Sequence, residues 1–163
     1  MRHPTRKKNG FTLIEVIVSL LLLGILSALG GMFLVAITQG YVFSQQNNET
    51  ALKAQVALAK IVKEIGSLSI ETDTITAATA TAVTFRRTGT NHTLQLADLT
   101  IQFDGITLVD NVTAFGLTYF DNTGAVTATL ANIRRVDITL SLRGAGGVIS
   151  NFAASAKIKE SYY

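Results

Sequence analysis

Side chains able to do chemistry are sparse in this sequence of 163 residues, and the one least explained by solvation is Glu15. It closes the stretch Gly10-Phe11-Thr12-Leu13-Ile14-Glu15. A basic leader with Arg2, Arg6, Lys7 and Lys8 precedes that stretch, and residues 16 to 48 follow it, 33 consecutive positions without a charge. A lone carboxylate at the mouth of an apolar helix has two uses. It can cap, because Thr12-Leu13-Ile14-Glu15 fits the pattern of a hydroxyl and an acid three residues apart that satisfies the free N–H groups of a first turn. An acid there also gains about 0.3–1 kcal/mol from the helix dipole. Alternatively it can await a cation. A carboxylate at the centre of a bilayer costs about 2.5–3.5 kcal/mol, less near the edge, and apolar helices packed around it make an opposite charge the natural compensation.

Other chemistry is mostly excluded. There is no cysteine, hence no disulfide framework, thiolate zinc site or cysteine nucleophile. His3 and His92 are the only histidines, with no His/Asp pairing or metal-ligand spacing, so no metal and no cofactor is expected. Asp104, Asp110 and Asp121 stand before Gly or Asn, where turn hydrogen bonding accounts for an aspartate. Arg86-Arg87 and Arg134-Arg135 fall in strand-like runs, whose neighbouring residues face opposite ways, so each pair offers one charge per face and reads as solvated. The net charge of +3 also misleads, since 14 basic and 11 acidic residues become 10 and 11 once the four leader cations are removed. A nucleic-acid partner built on the pI of 9.3 loses its support. With no nucleophile or acid/base pair in view, an enzyme is the least favoured class.

The elements that position Glu15 follow from hydropathy. Val16 to Ile37 is 22 residues without a charge, about 33 Å as a helix, which matches a hydrocarbon core of roughly 30 Å. That local run raises the mean hydropathy to +0.36. A secretory signal has a shorter apolar region, and Ser27-Ala28 is the only weak cleavage site for that alternative. The basic leader places the N-terminus in the cytoplasm and exports the remainder. Beyond the polar stretch Gln39 to Thr50, Leu52, Val56, Ala59, Val62 and Gly66 recur at helical spacing, widened by Leu58, Ile61 and Ile65, so one helix is expected from about Phe11 to Ile65. Gly66-Ser67 is its expected stop, through a glycine in the left-handed conformation. Gly24, Gly30, Gly31 and Gly40 interrupt it, which reads either as close helix packing or as a segment able to unwind locally.

Ile70 to Ala82 reads as a loop. Strands follow at Val83–Arg87, Thr93–Leu96, Leu99–Phe103 before Asp104-Gly105, the Phe115-Leu117-Tyr119 alternation before Asp121-Asn122-Thr123-Gly124, Ile133–Leu142 with Val136, Ile138, Leu140 and Leu142 inward, and Val148–Ile158. The expected fold class is α+β, a long N-terminal helix packed on an antiparallel β-sheet meander. Its parts are a leader over 1–10, a membrane and assembly half of the helix over 11–40, an amphipathic half over 41–66, and an exported β-rich domain over 67–163. The aromatic ending Ser161-Tyr162-Tyr163 would pack on the sheet or touch a neighbour.

Gly10-Phe11-Thr12-Leu13-Ile14-Glu15-Val16, between a short basic leader and a long apolar helix, resembles the signal of type IV pilins and pseudopilins. The order of the later elements, including Asp110-Asn111-Val112, Phe115, Tyr119, Asp121 to Gly124 and Ile133-Arg134-Arg135-Val136, is similar to that of minor pilins and minor pseudopilins of the W and J types. The resemblance implies that a prepilin peptidase cuts between Gly10 and Phe11 and methylates the new amino group of Phe11. Gly10 suits the cut because a residue without a side chain lets the backbone enter a tight active site. It further implies that Glu15, with Thr12 beside it, serves subunit assembly by pairing with the amino terminus of a neighbouring subunit. Gly24, Gly30 and Gly31 would supply any unwinding. The implied partners are the peptidase, other pilins or pseudopilins, an inner-membrane assembly platform and membrane lipid. The implied place is the bacterial inner membrane, then a filament. Major pilins commonly have a proline in the membrane half and a C-terminal disulfide loop. Here the only proline is Pro4 and no cysteine exists, which favours a minor component or pseudopilin over a major pilin. The expected function is that of a minor pilin-like subunit of a type IV pilus, in initiation or at the tip. Alternatives are a minor pseudopilin of a type II secretion system and a signal-anchored binding domain that never polymerises.

Overall fold

A computed structural model describes residues 10–159 of the chain. The leader as far as Asn9, with Arg2, His3, Pro4, Arg6, Lys7 and Lys8, and the ending Ser161-Tyr162-Tyr163 lie outside the described residues. The chain divides into two compact units, Met1–Val42 and Phe43–Tyr163. One helix, α1 (Leu13–Gly66, 54 residues), contributes to both.

In the first unit α1 is unbroken through Gly24, Gly30, Gly31 and Gly40, and all of its side chains are exposed. Its hydroxyls turn inward onto the helix: Ser19 Oγ donates to Glu15 O at 2.7 Å and Thr38 Oγ1 to Leu34 O at 2.8 Å. These back-bonds satisfy polar groups without water, as an apolar medium requires.

In the second unit α1 meets eight antiparallel strands. The expected single meander is two. β1 (Thr74–Ala78), β2 (Ala82–Arg87), β3 (Thr90–Ala97), β4 (Thr100–Phe103) and β5 (Ile106–Val109) form one sheet in sequence order. β6 (Val112–Phe120), β7 (Arg135–Arg143) and β8 (Ile149–Lys157) form the other. Backbone bonds stitch them together, with Val112 N donating to Leu99 O at 2.9 Å and Leu117 N to Ala80 O at 2.8 Å. Tyr119 Oη crosses the same seam to Thr79 O and Ala82 O. The turns use the local chemistry expected of them. Asp104-Gly105 has φ values of 52° and 80°, and Thr88-Gly89 of 48° and 87°, both residues left-handed as two-residue hairpins require.

Three expectations are corrected here. Ile70 to Ala82 is not wholly a loop, because β1 lies within it. Its threonine and alanine carry no clear alternation, since all five residues are partly or fully exposed and only Ile75 and Ala78 pack against the core. The buried stripe of α1 is Ala54, Ala57, Leu58, Ile61 and Ile65, so Leu58, Ile61 and Ile65 are its centre, not its margin. Leu52 and Val56 are 60% and 70% exposed. Finally, Gly66 ends α1 without a left-handed φ. Ser67 does the work, its N–H bonding Lys63 O at 3.0 Å and its Oγ bonding Glu64 O at 2.7 Å.

The core joins this stripe to Phe85, Leu94 and Ile101 of the first sheet and Val136, Ile138, Leu140 and Leu142 of the second, all nearly inaccessible. The β7 face is as the alternation predicts. The turn after β7 is glycine-rich because α1 presses on it: a Cβ on Gly144 would strike Asn47, and one on Gly146 (φ 63°) would come within 2.8 Å of the Phe43 ring.

Candidate functional site

The residues singled out at the N-terminus fall within little more than one turn. Gly10, Phe11 and Thr12 precede the helix, and Leu13 opens it. Phe11 is 80% exposed. A Cβ on Gly10 would meet nothing within 4 Å, so the fold itself does not demand glycine there. Thr12 caps the helix: its carbonyl accepts from Glu15 N at 3.1 Å and Val16 N at 3.2 Å. Its hydroxyl accepts from Glu15 N at 3.4 Å and leans on Glu15 Oε2 at 3.5 Å. The side-chain contacts sit at the outer limit for hydrogen bonds. A full capping box would have the acid reach back to the Thr12 N–H, whereas here the carboxylate touches only the hydroxyl. Capping by Thr12 therefore leaves Glu15 with most of its acceptor capacity unused, at the head of an exposed apolar helix.

The helix glycines behave similarly. Gly24, Gly30 and Gly31 lie in unbroken helix, and a Cβ on any of them would meet nothing within 4 Å. Each costs a helix about 1 kcal/mol relative to alanine, and no packing among the described residues offsets it.

Residues 5–31 match the family described as the prokaryotic N-terminal methylation motif. The match takes in the leader from Thr5 onward, the whole Gly10–Glu15 stretch and Gly24, Gly30 and Gly31. The N-terminal segment is thus a prepilin-type signal of the kind that type IV pilin-like proteins and pseudopilins carry. Such a signal implies processing by a prepilin peptidase and assembly with other pilins, and with the apolar helix it fits a membrane-anchored protein. No curated protein and no solved structure matches the chain.

The second unit holds polar constellations that the sequence did not announce. His92 and Asp104, expected to be unpaired, lie 2.7 Å apart (Nδ1 to Oδ2), and Asp104 Oδ1 accepts Thr93 N at 2.8 Å. The imidazole stacks on Phe103 at 5.8 Å and leans on Phe85 at 5.7 Å. Burial raises the Asp104 pKa, but the bonds from His92 and Thr93 and the charges of His92 and Arg87 outweigh it, so the carboxyl sits below its ordinary value. Asp110 likewise serves more than a turn, pairing with Lys53 of α1 at 3.2 Å. Asp121 does follow turn chemistry: the Thr123 hydroxyl first, then the N–H groups of Ala125, Thr123 and Gly124, hold its carboxyl below the usual range.

The arginine pairs are less solvated than expected. Arg87 Nη1 reaches Glu64 Oε2 at 3.0 Å and Ser67 Oγ at 2.7 Å, tying β2 to the end of α1. Arg135 lies 4.1 Å above the Phe120 ring and 3.1 Å from Asp137, and Arg134 Nη1 donates to Ala131 O at 2.8 Å. Burial pushes the Tyr119 phenol up to about 12. A cavity of about 430 Å³ opens between Leu68, Ile75, Leu130 and Ile133, with Asp73 and Arg134 at its wall. Among the described residues no group of three His, Cys, Asp or Glu side chains converges as a metal site.

Proposed function

We propose that the protein is a structural minor pilin-like subunit. A prepilin peptidase cuts it after Gly10, methylates Phe11, and leaves residues 11–40 of α1 as the membrane and assembly segment. The observation carrying this reading is the methylation motif set on an unbroken, fully exposed apolar helix whose one carboxylate is underused. Glu15 pairs with the new amino group of a neighbouring subunit as it leaves the membrane for the filament, and Thr12 fixes the first turn. Gly24, Gly30 and Gly31 give that segment room for close helix contact or local unwinding. The basic leader keeps the N-terminus cytoplasmic, and the unit from Phe43 onward is presented outside the inner membrane. Force and chemistry come from the peptidase and the assembly platform. The lack of cysteine and of a proline beyond Pro4 supports a minor part in initiation or at the tip, and equally suits a minor pseudopilin of a type II secretion system.

Mass spectrometry of the membrane-purified N-terminus tests processing: a mature chain beginning at N-methylated Phe11 is expected, and a mature pool starting at Met1 or Arg2 sinks the reading. Glu15→Ala should leave insertion and cleavage largely intact while filament entry drops sharply. Normal incorporation of that variant would leave Glu15 only its role at the helix start.

A further inference from the structure

A sheet edge is a row of backbone N–H and C=O groups without partners, and proteins blunt such edges by shortness, bulges, charge or proline. The second unit has four outer strands to compare. β6 has nine residues, but Thr113 bulges from it between Val112 and Ala114, and its outer side is already bonded, Leu117 N donating to Ala80 O and Thr127 N to Tyr119 O. β1 has five residues, and Thr76 bulges from it between the pairs Ile75–Phe85 and Ala77–Thr84. β5 has four, with Leu108 unopposed between Thr107–Gln102 and Val109–Ile101. Both are short and irregular. β8 is neither. Its nine residues pair with β7 without a register shift, and among the described residues no strand pairs with its other side. Only at Lys159 does the chain find a partner there, bridging to Ser69. From Ile149 through Ala156 the edge has no charge and no proline, and it presents about 26 Å of regular strand.

Charge indicates what fits along it. Lys157 lies directly opposite Arg135 in the β7–β8 register, a like-charged cross-strand pair that opposes folding. Lys159 follows at the same end. Among the described residues neither lysine has an ion-pair partner. A second copy would not supply one, since β8 laid antiparallel on itself brings Ile149 and its uncharged neighbours toward Lys157. We infer that the outer edge of β8 is a strand-addition site for a different protein, which contributes an extended uncharged segment with a carboxylate at the end that meets Lys157 and Lys159. Backbone hydrogen bonds supply the affinity in this mode of recognition, and alternate side chains supply the register. The inference does not depend on N-terminal processing.

Hydrogen exchange of the full chain tests it, comparing native membranes, where partner proteins are present, with the purified chain diluted in detergent. Alternate amides of β8 should exchange at least about tenfold slower in membranes, with β1 and β5 unchanged. Lys157→Glu should reduce that added protection about two- to fivefold while β7 amides keep theirs, which controls for folding. Equal exchange in both settings overturns the inference. So does protection that grows with concentration of the purified chain, which assigns the edge to a second copy. Protection already complete in the dilute chain overturns it too, assigning the edge to the chain's own residues outside 10–159.

Discussion

Leu22 and Ile61 lie on the same helix and carry nearly the same side chain, yet Leu22 is 56% exposed and Ile61 is 1% exposed. Each is explained by the unit that holds it. In the unit from Phe43 onward, apolar residues answer to one another: helix stripe, sheet faces and glycine turn are mutually fitted. In the unit ending at Val42, the apolar residues, the glycines and Glu15 have no packing counterpart among the described residues. The first kind of sequence is legible from its own fold. The second becomes legible only with lipid or neighbouring helices as part of the structure.

The sharpest way to test that contrast is a matched pair of truncations. Ile61→Ala should cost the second unit about 2–5 kcal/mol, whereas Leu22→Ala should shift its unfolding by less than about 0.5 kcal/mol, both read by denaturant unfolding of the purified chain in detergent. Comparable losses would erase the distinction. A smaller effect is expected at the α1–β2 tie. Arg87→Ala leaves the half-buried Glu64 without its cation and should cost about 1–3 kcal/mol, and Glu64→Gln in the same background should recover part of it.

The smallest effects depend on pH, and only the second unit should show them. The Asp104 carboxyl is lowered in the folded state, so its contribution is present above its ordinary unfolded value and is lost as pH falls through the folded value. Below about pH 4 the wild-type chain should lose stability more steeply than Asp104→Asn. The Tyr119 phenol is raised, from 10 in its ordinary state to about 12, so the sign reverses. Stability is full below pH 10 and falls as pH rises toward 12, and Tyr119→Phe should flatten that alkaline limb. Unfolding midpoints measured across pH check both.

Much of this was readable in advance. Period and length marked α1 because its apolar run exceeds anything a core needs, and Val136-Ile138-Leu140-Leu142 marked β7 because one face is buried and the other wet. β1 was missed because threonine and alanine on an edge give no alternation. The α1 stripe was drawn one position off because apolar residues stand on both sides of it, and only the sheets decide which side is covered. His92–Asp104 was missed through treating the aspartate as a turn residue. Counting back from Asp98-Leu99 places Thr93 opposite Asp104, with His92 adjacent, so the signal was present in the hairpin register. Around Glu15 the residue types disclosed a processing signal. What the surfaces of the second unit touch depends on edge geometry, which no local pattern encodes.

The order of strands in both sheets follows the order of the chain. Within each sheet every strand pairs with the next in the chain, so apart from the longer connection over 121–134 between β6 and β7 each hairpin closes over a short loop and forms on the microsecond scale once its second strand is available. A chain synthesised N-terminus first can therefore complete the five-strand sheet before β7 or β8 has been made. The contact between Ser69 and Lys159 joins residues farther apart in sequence than any hairpin does, at a loop entropy that grows with their separation. It makes the last step of folding the one that brings the end of β8 against the foot of α1.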